Sequence, residues 1–154
     1  MIIDLERGNL LEDIFRLDYR YCVPDLLFER ELKGALGDRL IELGLDVVEL
    51  SGDEASEAQN LKIAQRKLSV PDAFAYTLAS TRRWTLLTGD GELRALATRE
   101  KLPMHGVLWV IEQLHLTGTV QSDQLHTCLA TIRDHPRCRL PNVEINRLLR
   151  LFSG

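Results

Sequence analysis

Short apolar runs alternate with helix-patterned stretches along this chain, and that alternation constrains the fold more than any other feature. "YRYCV", "LDVVEL", "WTLLT" and "LPMHGV" read as strands. Between them, "PDLLFERELKGAL" reads as a helix ending near Gly37, and "SGDEASEAQNLKIAQRK", "PDAFAYTLAS" and "GELRALATREK" read as further helices. Strands separated by helices of this length pair in parallel, because a parallel crossover needs a dozen or more residues. The expected fold class is therefore α/β. In such sheets, functional residues gather outside the carboxyl ends of the strands.

Both Val23 to Asp25 and Val70 to Asp72 spell Val-Pro-Asp. Proline is tolerated in the first helical turn and aspartate is favoured there, so both mark helix starts. Ser51 and Glu54 have the spacing of a capping box. N-terminal to this region, "LLEDIFRL" is helix-patterned. C-terminal to it, "LWVIEQLH", "DQLHTCLATIRDH" and "VEINRLLRLF" give three more helices. A length of 154 residues with 45% apolar and 27% charged content is expected to form one domain, 1–154, with an ordinary core.

Net charge is −4, which argues against strong non-specific binding of nucleic acid through a bulk positive field but leaves room for a local basic groove. No apolar run is long enough to span a bilayer, and "MIIDLERGNL" is not a secretory signal. Cys22, Cys128 and Cys138 form no Cys-x-x-Cys pair and read as reduced thiols, so the expected setting is cytoplasmic. His126, Cys128, His135 and Cys138 are zinc-ligand types but lack a finger spacing, which favours buried thiols and surface histidines over a zinc site. Trp84 and Trp109 read as core or interface residues.

Four acids and one hydroxyl carry the candidate chemistry. Asp72 has two readings: it completes a capping box with Ser69, or it is an ionised carboxylate held at a helix start for a metal. Asp90, in "LLTGDGEL", either belongs to an Asp-Gly turn or is a ligand at a strand end, with Thr88 placed to hydrogen-bond it. Glu29 and Glu31 point in roughly opposite directions on a helix, so at most one can face a given site. Separated carboxylates suit a hard cation, which polarises a phosphodiester and activates bound water. No nucleophilic triad or phosphate-cradling glycine loop is evident.

The segment "LSVPDAFAYTLASTRRWTLLTGDGELRALA" resembles the PIN-domain family, the fold of VapC-type toxin ribonucleases. It is similar to that family's Asp at the start of an alanine-rich helix, followed by a strand ending in Thr-x-Asp, here Thr88, Gly89 and Asp90. "CVPDLLFEREL" is similar to the earlier strand-helix junction that carries an acidic ligand, with Glu29 the better spacing match and Glu31 the second. "MHGVLWVIEQLHLTGTV" looks like the family's last strand and helix, whereas the helices from about Gln121 match less specifically.

The resemblance implies a three-layer α/β/α fold with a mostly parallel central sheet. It further implies an endoribonuclease using Mg²⁺ or Mn²⁺ to hydrolyse RNA, leaving a 3′-hydroxyl and a 5′-phosphate. Asp72 and Asp90 would be metal ligands, Glu29 a ligand or a water-positioning acid, and Thr88 an orienting residue. The implied partners are an RNA substrate, an antitoxin protein and a second copy in a homodimer. One departure stands out: the family's first strand and its terminal Asp are absent from these 154 residues, and Asp4 matches a later, helical position. Either an upstream stretch supplies them, or the chain is a catalytically degenerate module that binds RNA or a partner protein. A purely structural subunit, its acids serving as caps, is a third and weaker reading. Arg82 and Arg83 fall at the far end of their strand from the site, and Arg94, Arg99 and Lys101 read as solvated charges.

Overall fold

The computed structural model describes residues 1–154. Residues 1–19 give two short helices, α1 (Ile2–Arg7) and α2 (Leu11–Ile14). The α/β portion follows: β1 (Cys22–Pro24), α3 (Asp25–Leu27), a π-helical turn (Phe28–Leu32), α4 (Ala35–Leu43), β2 (Asp46–Val48), α5 (Gly52–Ala64), α6 (Val70–Arg82), β3 (Leu86–Leu87), α7 (Gly91–Arg99) and β4 (Met104–His105). Three helices close the chain: α8 (Val107–Leu116), α9 (Ser122–Asp134) and α10 (Asn142–Ser153). Two compact units can be distinguished, residues 20–105 and residues 1–19 with 106–154. No helix is long and apolar enough to cross a membrane.

In the unit of residues 20–105 every strand pairing is parallel, as the alternation requires. β1 pairs with β2, matching Val23 to Val47, and β3 pairs with β4, matching Leu87 to His105. The strands are only two or three residues long and form two separate pairs. No strand precedes Cys22, because residues 2–7 and 11–14 are helical. So the short strands do not merge into one continuous ladder. Both pairs pack on α6. This helix is rich in small residues, which lets it lie close to its neighbours, and it buries Ala73, Tyr76, Thr77, Leu78 and Ala79. One cluster joins Tyr76 and Ala79 to Leu86, Leu93, Leu96 and Ala97, while another joins Leu78 to Leu50 and Ala58 with Trp84 against it.

The segment expected as one helix ending near Gly37 is broken differently. The chain leaves β1 at Pro24, turns once as α3 and widens into the π turn, closed by the Lys33 amide donating to the Phe28 carbonyl at 2.8 Å. Gly34, at φ +124°, then breaks the path, and α4 starts afresh and runs past Gly37 to Leu43. Its terminator is Gly44 at φ +119°, a conformation glycine adopts without steric cost. Gly37 is buried inside α4. A Cβ there would collide with the Leu32 carbonyl oxygen and lie 2.8 Å from the Phe28 ring, so its lack of a side chain sets the approach of α4 to the π turn.

The Ser51 capping box forms in full. Glu54 N–H donates to the Ser51 hydroxyl at 3.1 Å, and Ser51 N–H donates to the Glu54 carboxylate at 2.9 Å. Glu54 also accepts from Thr81 and from both ends of the Arg82 guanidinium, tying α5 to α6. These partners hold its carboxyl far below the usual carboxylate range, with Arg82 the largest contributor. Arg82 lies 5.4 Å from the Trp84 ring centre as well, so this guanidinium has a structural role.

In the other unit, α1 packs on α9, and α2 and α10 pack on α8. Leu5, Leu11, Ile111, Leu114, Leu125, Leu129, Ile132, Ile145 and Leu148 are buried there. Trp109 lies 5.8 Å from the Tyr19 ring, in keeping with a packing role.

Candidate active site

The carboxyl end of β3 and the N-termini of α6 and α7 carry two of the four acids singled out from the sequence, Asp72 and Asp90. Ser69 caps α6, its hydroxyl accepting the Asp72 N–H at 3.1 Å. The reciprocal bond that would complete a capping box is not made, in contrast to Ser51 and Glu54. The Asp72 carboxylate is therefore free of the backbone duty that a capping box would assign it. Burial pushes its pKa up, the Ser69 hydroxyl opposes that shift, and the negative charge of Asp90 adds to it.

Asp90 is the N-cap of α7, its Oδ2 accepting the Leu93 N–H at 3.0 Å. Thus the Asp-Gly pair starts a helix as well as turning the chain. Thr88 is buried, and its hydroxyl accepts the Asp90 N–H at 3.1 Å. It steers Asp90 through the backbone and not, as expected, through the carboxylate. One Asp90 oxygen is committed to the cap, and the other makes no hydrogen bond or ion pair within the chain.

The two glutamates stand differently on the π turn. Glu29 is turned outward and pairs with Lys33 at 3.1 Å, with 58% of its side chain exposed. Glu31 is exposed as well, but the Asp72 charge reaches it. Its pKa is pushed up first by burial and then by the Asp72 charge. Glu31, Asp72 and Asp90 thus form a row of carboxylates, each feeling the next. The better sequence match, Glu29, is the one the structure leaves outside that row. Its spacing from Pro24 suits the site only on an α-helix, and a π turn shifts the direction of every side chain after Phe28.

No three His, Cys, Asp or Glu side chains converge closely enough to form a ready-made metal cage. A hard cation does not require one: Mg²⁺ keeps several waters and is often held by one or two carboxylates. The donor set fits such an ion. Asp72 and Asp90 offer carboxylate oxygens at an element edge, the Asp90 charge acts against that of Asp72, and a cation between them would relieve that repulsion.

Two residues near this edge are not assigned to the site by the sequence alone. Arg94, one turn into α7, donates from Nη1 to the Thr88 carbonyl at 3.3 Å. His105 ends β4 beside β3, and its backbone carbonyl accepts the Thr88 N–H at 3.0 Å. Burial lowers the His105 pKa, and the Arg94 charge lowers it further. The spacing of Arg94 from Asp90, four residues on a helix, is a signal available in the sequence.

A family model described as a PIN domain matches residues 1–154. No curated protein and no solved structure matches the chain.

Proposed function

The chain belongs to the PIN-domain family of nuclease-like, divalent-metal-using domains, and from that premise we propose that it is a metal-dependent endoribonuclease, with Glu31, Asp72 and Asp90 as its acidic residues. The observation that carries the reading is the set of three acids near the carboxyl edge of a parallel strand pair, with Glu31 pushed up by burial and by Asp72, and Asp72 by burial and by Asp90. Like charges placed together and partly desolvated cost stability, and such arrangements gather at functional sites. The proposal treats residues 1–154 as one functional domain, the extent over which the family model matches.

Asp72 and Asp90 would hold Mg²⁺ or Mn²⁺ through their carboxylate oxygens. When bound, such an ion lowers the pKa of a coordinated water and polarises the phosphoryl oxygen. Glu31, raised in pKa and next to Asp72, is suited to accept a proton from water attacking in line. Cleavage would leave a 3′-hydroxyl and a 5′-phosphate. Thr88 fixes the Asp90 backbone, and the α7 N-terminus holds one Asp90 carboxylate oxygen through the Leu93 amide. Glu29 has no part in this scheme.

The finer assignment is the toxin of a cytoplasmic toxin–antitoxin pair, acting as a homodimer. It is supported by the resemblance of the strand-helix segments around Asp72, Thr88 and Asp90. The alternative of a non-catalytic module that binds RNA or a partner is favoured by one observation, the lack of a third carboxylate close enough to close a cage.

The deciding experiment is cleavage of labelled single-stranded RNA by the purified protein with Mn²⁺. The nuclease reading expects cleavage that EDTA stops, that Asp72→Asn and Asp90→Asn remove, and that Glu31→Gln lowers far more than Glu29→Gln. Cleavage unchanged by Asp90→Asn would overturn it. RNA binding without metal-dependent turnover would establish the non-catalytic module instead.

A further inference from the structure

Phosphodiester RNA is a polyanion, and the proposed site is lined by carboxylates, so a divalent ion alone must offset both the acids and the incoming phosphate. A guanidinium at the rim would share that task, because its planar fork matches phosphate oxygens. Arg94 stands where such a group is needed. Its amide donates to the Asp90 carbonyl at 3.0 Å, which places it one helical turn beyond Asp90. Long side chains on a helix lean toward its N-terminus. Arg94 does so, and its Nη1 reaches back to the Thr88 carbonyl, two residues before Asp90.

Arg94 has no carboxylate partner, and unlike Arg30, Arg66 and Arg83, which also lack one, it is tied to the end of β3. Arg20 pairs with Asp46, Arg82 with Glu54, and Arg99 lies 4.0 Å from Glu100, all in the same unit. Arg94 makes no ion pair, although acids surround the strand end beside it. One neutral hydrogen bond uses one of its five donors. The rest of the fork stays exposed at the rim. The Arg94 charge also reaches His105, whose pKa is lowered first by burial and then by that charge.

We propose that Arg94 is a substrate-binding residue that holds a phosphate of the RNA strand beside Asp72 and Asp90, anchored for that purpose on the Thr88 carbonyl. The inference rests on the nuclease reading and deepens it. Arg94 then contributes to binding in every sequence context, because a phosphate contact carries no base information.

The test measures anisotropy of a fluorescein-labelled, single-stranded RNA against the full chain across a KCl series. EDTA is present so that no turnover occurs. Cleavage is measured in parallel with Mn²⁺. Arg94→Ala is expected to weaken RNA binding roughly ten-fold at low salt, and the slope of log affinity against log salt should flatten by about 0.7, the contribution of one phosphate contact to a single strand. Arg94→Lys should keep that slope while recovering only part of the affinity, since an ammonium preserves the charge but not the fork. Arg99→Ala makes the same charge change on the same helix, away from the strand end, and should alter neither quantity appreciably. In the cleavage assay, Arg94→Ala should raise KM more than it lowers kcat.

If Arg94 only braces the Thr88 carbonyl, Arg94→Ala will lower the melting temperature while RNA affinity and salt slope stay at wild-type values, and the proposal is overturned. Wild-type affinity and slope in Arg94→Gln would overturn it equally, without reliance on one variant. Wild-type cleavage lost in Asp90→Asn, together with unaltered RNA binding in Arg94→Ala, would sink the Arg94 inference and leave the nuclease standing. A wild-type chain that neither binds nor cleaves RNA would refute both.

Discussion

Gly37→Ala tests whether the π turn places Glu31. In α4, replacing glycine with alanine should gain about 1 kcal/mol from helix propensity alone. The packing opposes it. The new methyl would run into the Leu32 carbonyl oxygen and sit 2.8 Å from Phe28 Cζ and 3.1 Å from Leu32 C. The ring could swing aside, but the carbonyl belongs to the π turn and cannot retreat without straining the Lys33-to-Phe28 bond. Overpacking of this kind costs about 1–3 kcal/mol. A backbone clash this close belongs at the upper end of that range, so the expected net effect is a loss of about 2 kcal/mol, or roughly 4–8 °C in melting temperature for a chain of this size. Gly52→Ala is the control, because a Cβ there meets nothing within 4 Å, and it should be neutral or slightly stabilising. Urea melts and Mn²⁺-dependent RNA cleavage by both variants provide the assay. Gly37→Ala should lose stability and cleave RNA more slowly, since Glu31 follows the π turn. If it proves as stable as wild type, the close approach of α4 to the π turn is wrong. If it is less stable but cleaves RNA as wild type does, Glu31 is not positioned this way.

Other expectations concern charge. Asp72 and Glu31 have folded pKa values above their ordinary values of 3.8 and 4.5, so the folded state binds more protons than the unfolded chain in the window above those values. Stability without metal should therefore fall as pH rises from about 4 into that window, then level off. Asp72→Asn removes the Asp72 share of that decline, and its urea midpoint should gain on wild type between about pH 4 and pH 7; parallel pH curves for the two would contradict the buried-acid account. Glu54 has the opposite sign. Its folded pKa is depressed, so its contribution is present above 4.5 and is lost as pH falls toward the folded value. Ser51→Ala should cost about 1 kcal/mol by removing half of the capping box, measured by denaturant midpoint at neutral pH.

Much of this architecture is legible in the sequence because it rests on local rules. The alternation of strand and helix patterns leads to parallel pairing, and both pairs are parallel. Ser51 with Glu54, and Ser69 before Val-Pro-Asp, mark helix starts that form as written. The departures arise where local rules have equals. "FERELKG" carries an α-helical pattern, but Gly34 and Gly37 permit a break and a close approach whose outcome depends on how α4 packs against Phe28 and Leu32. That packing is tertiary, so the choice of Glu31 over Glu29 is not available from spacing. The sequence places Thr88 beside Asp90, but whether its hydroxyl meets the carboxylate or the amide depends on the strand-end geometry.

The capping and metal-ligand readings of the two aspartates, which compete when each is taken alone, separate once the bonds are traced. A carboxylate that completes a capping box accepts a backbone N–H, as Glu54 does, and the Glu54 pKa falls under Arg82 first, then Thr81 and the Ser51 amide. Asp72 stands at the same position relative to its capping serine, three residues on, yet its pKa rises. Equivalent positions in two helix starts thus give opposite shifts. The reciprocal Ser51 bond, made by Glu54 and not by Asp72, accounts for part of the difference, and the larger part comes from the rest of each acid's surroundings. Glu54 meets the Arg82 guanidinium, while Asp72 is pushed up first by burial and further by the Asp90 charge. A helix that needed only a cap would gain nothing from a partly buried acid near another. The cost of holding Asp72 there is recovered only when a cation or a proton enters the row, which is why metal binding at this edge should strengthen as pH rises and the acids give up their protons.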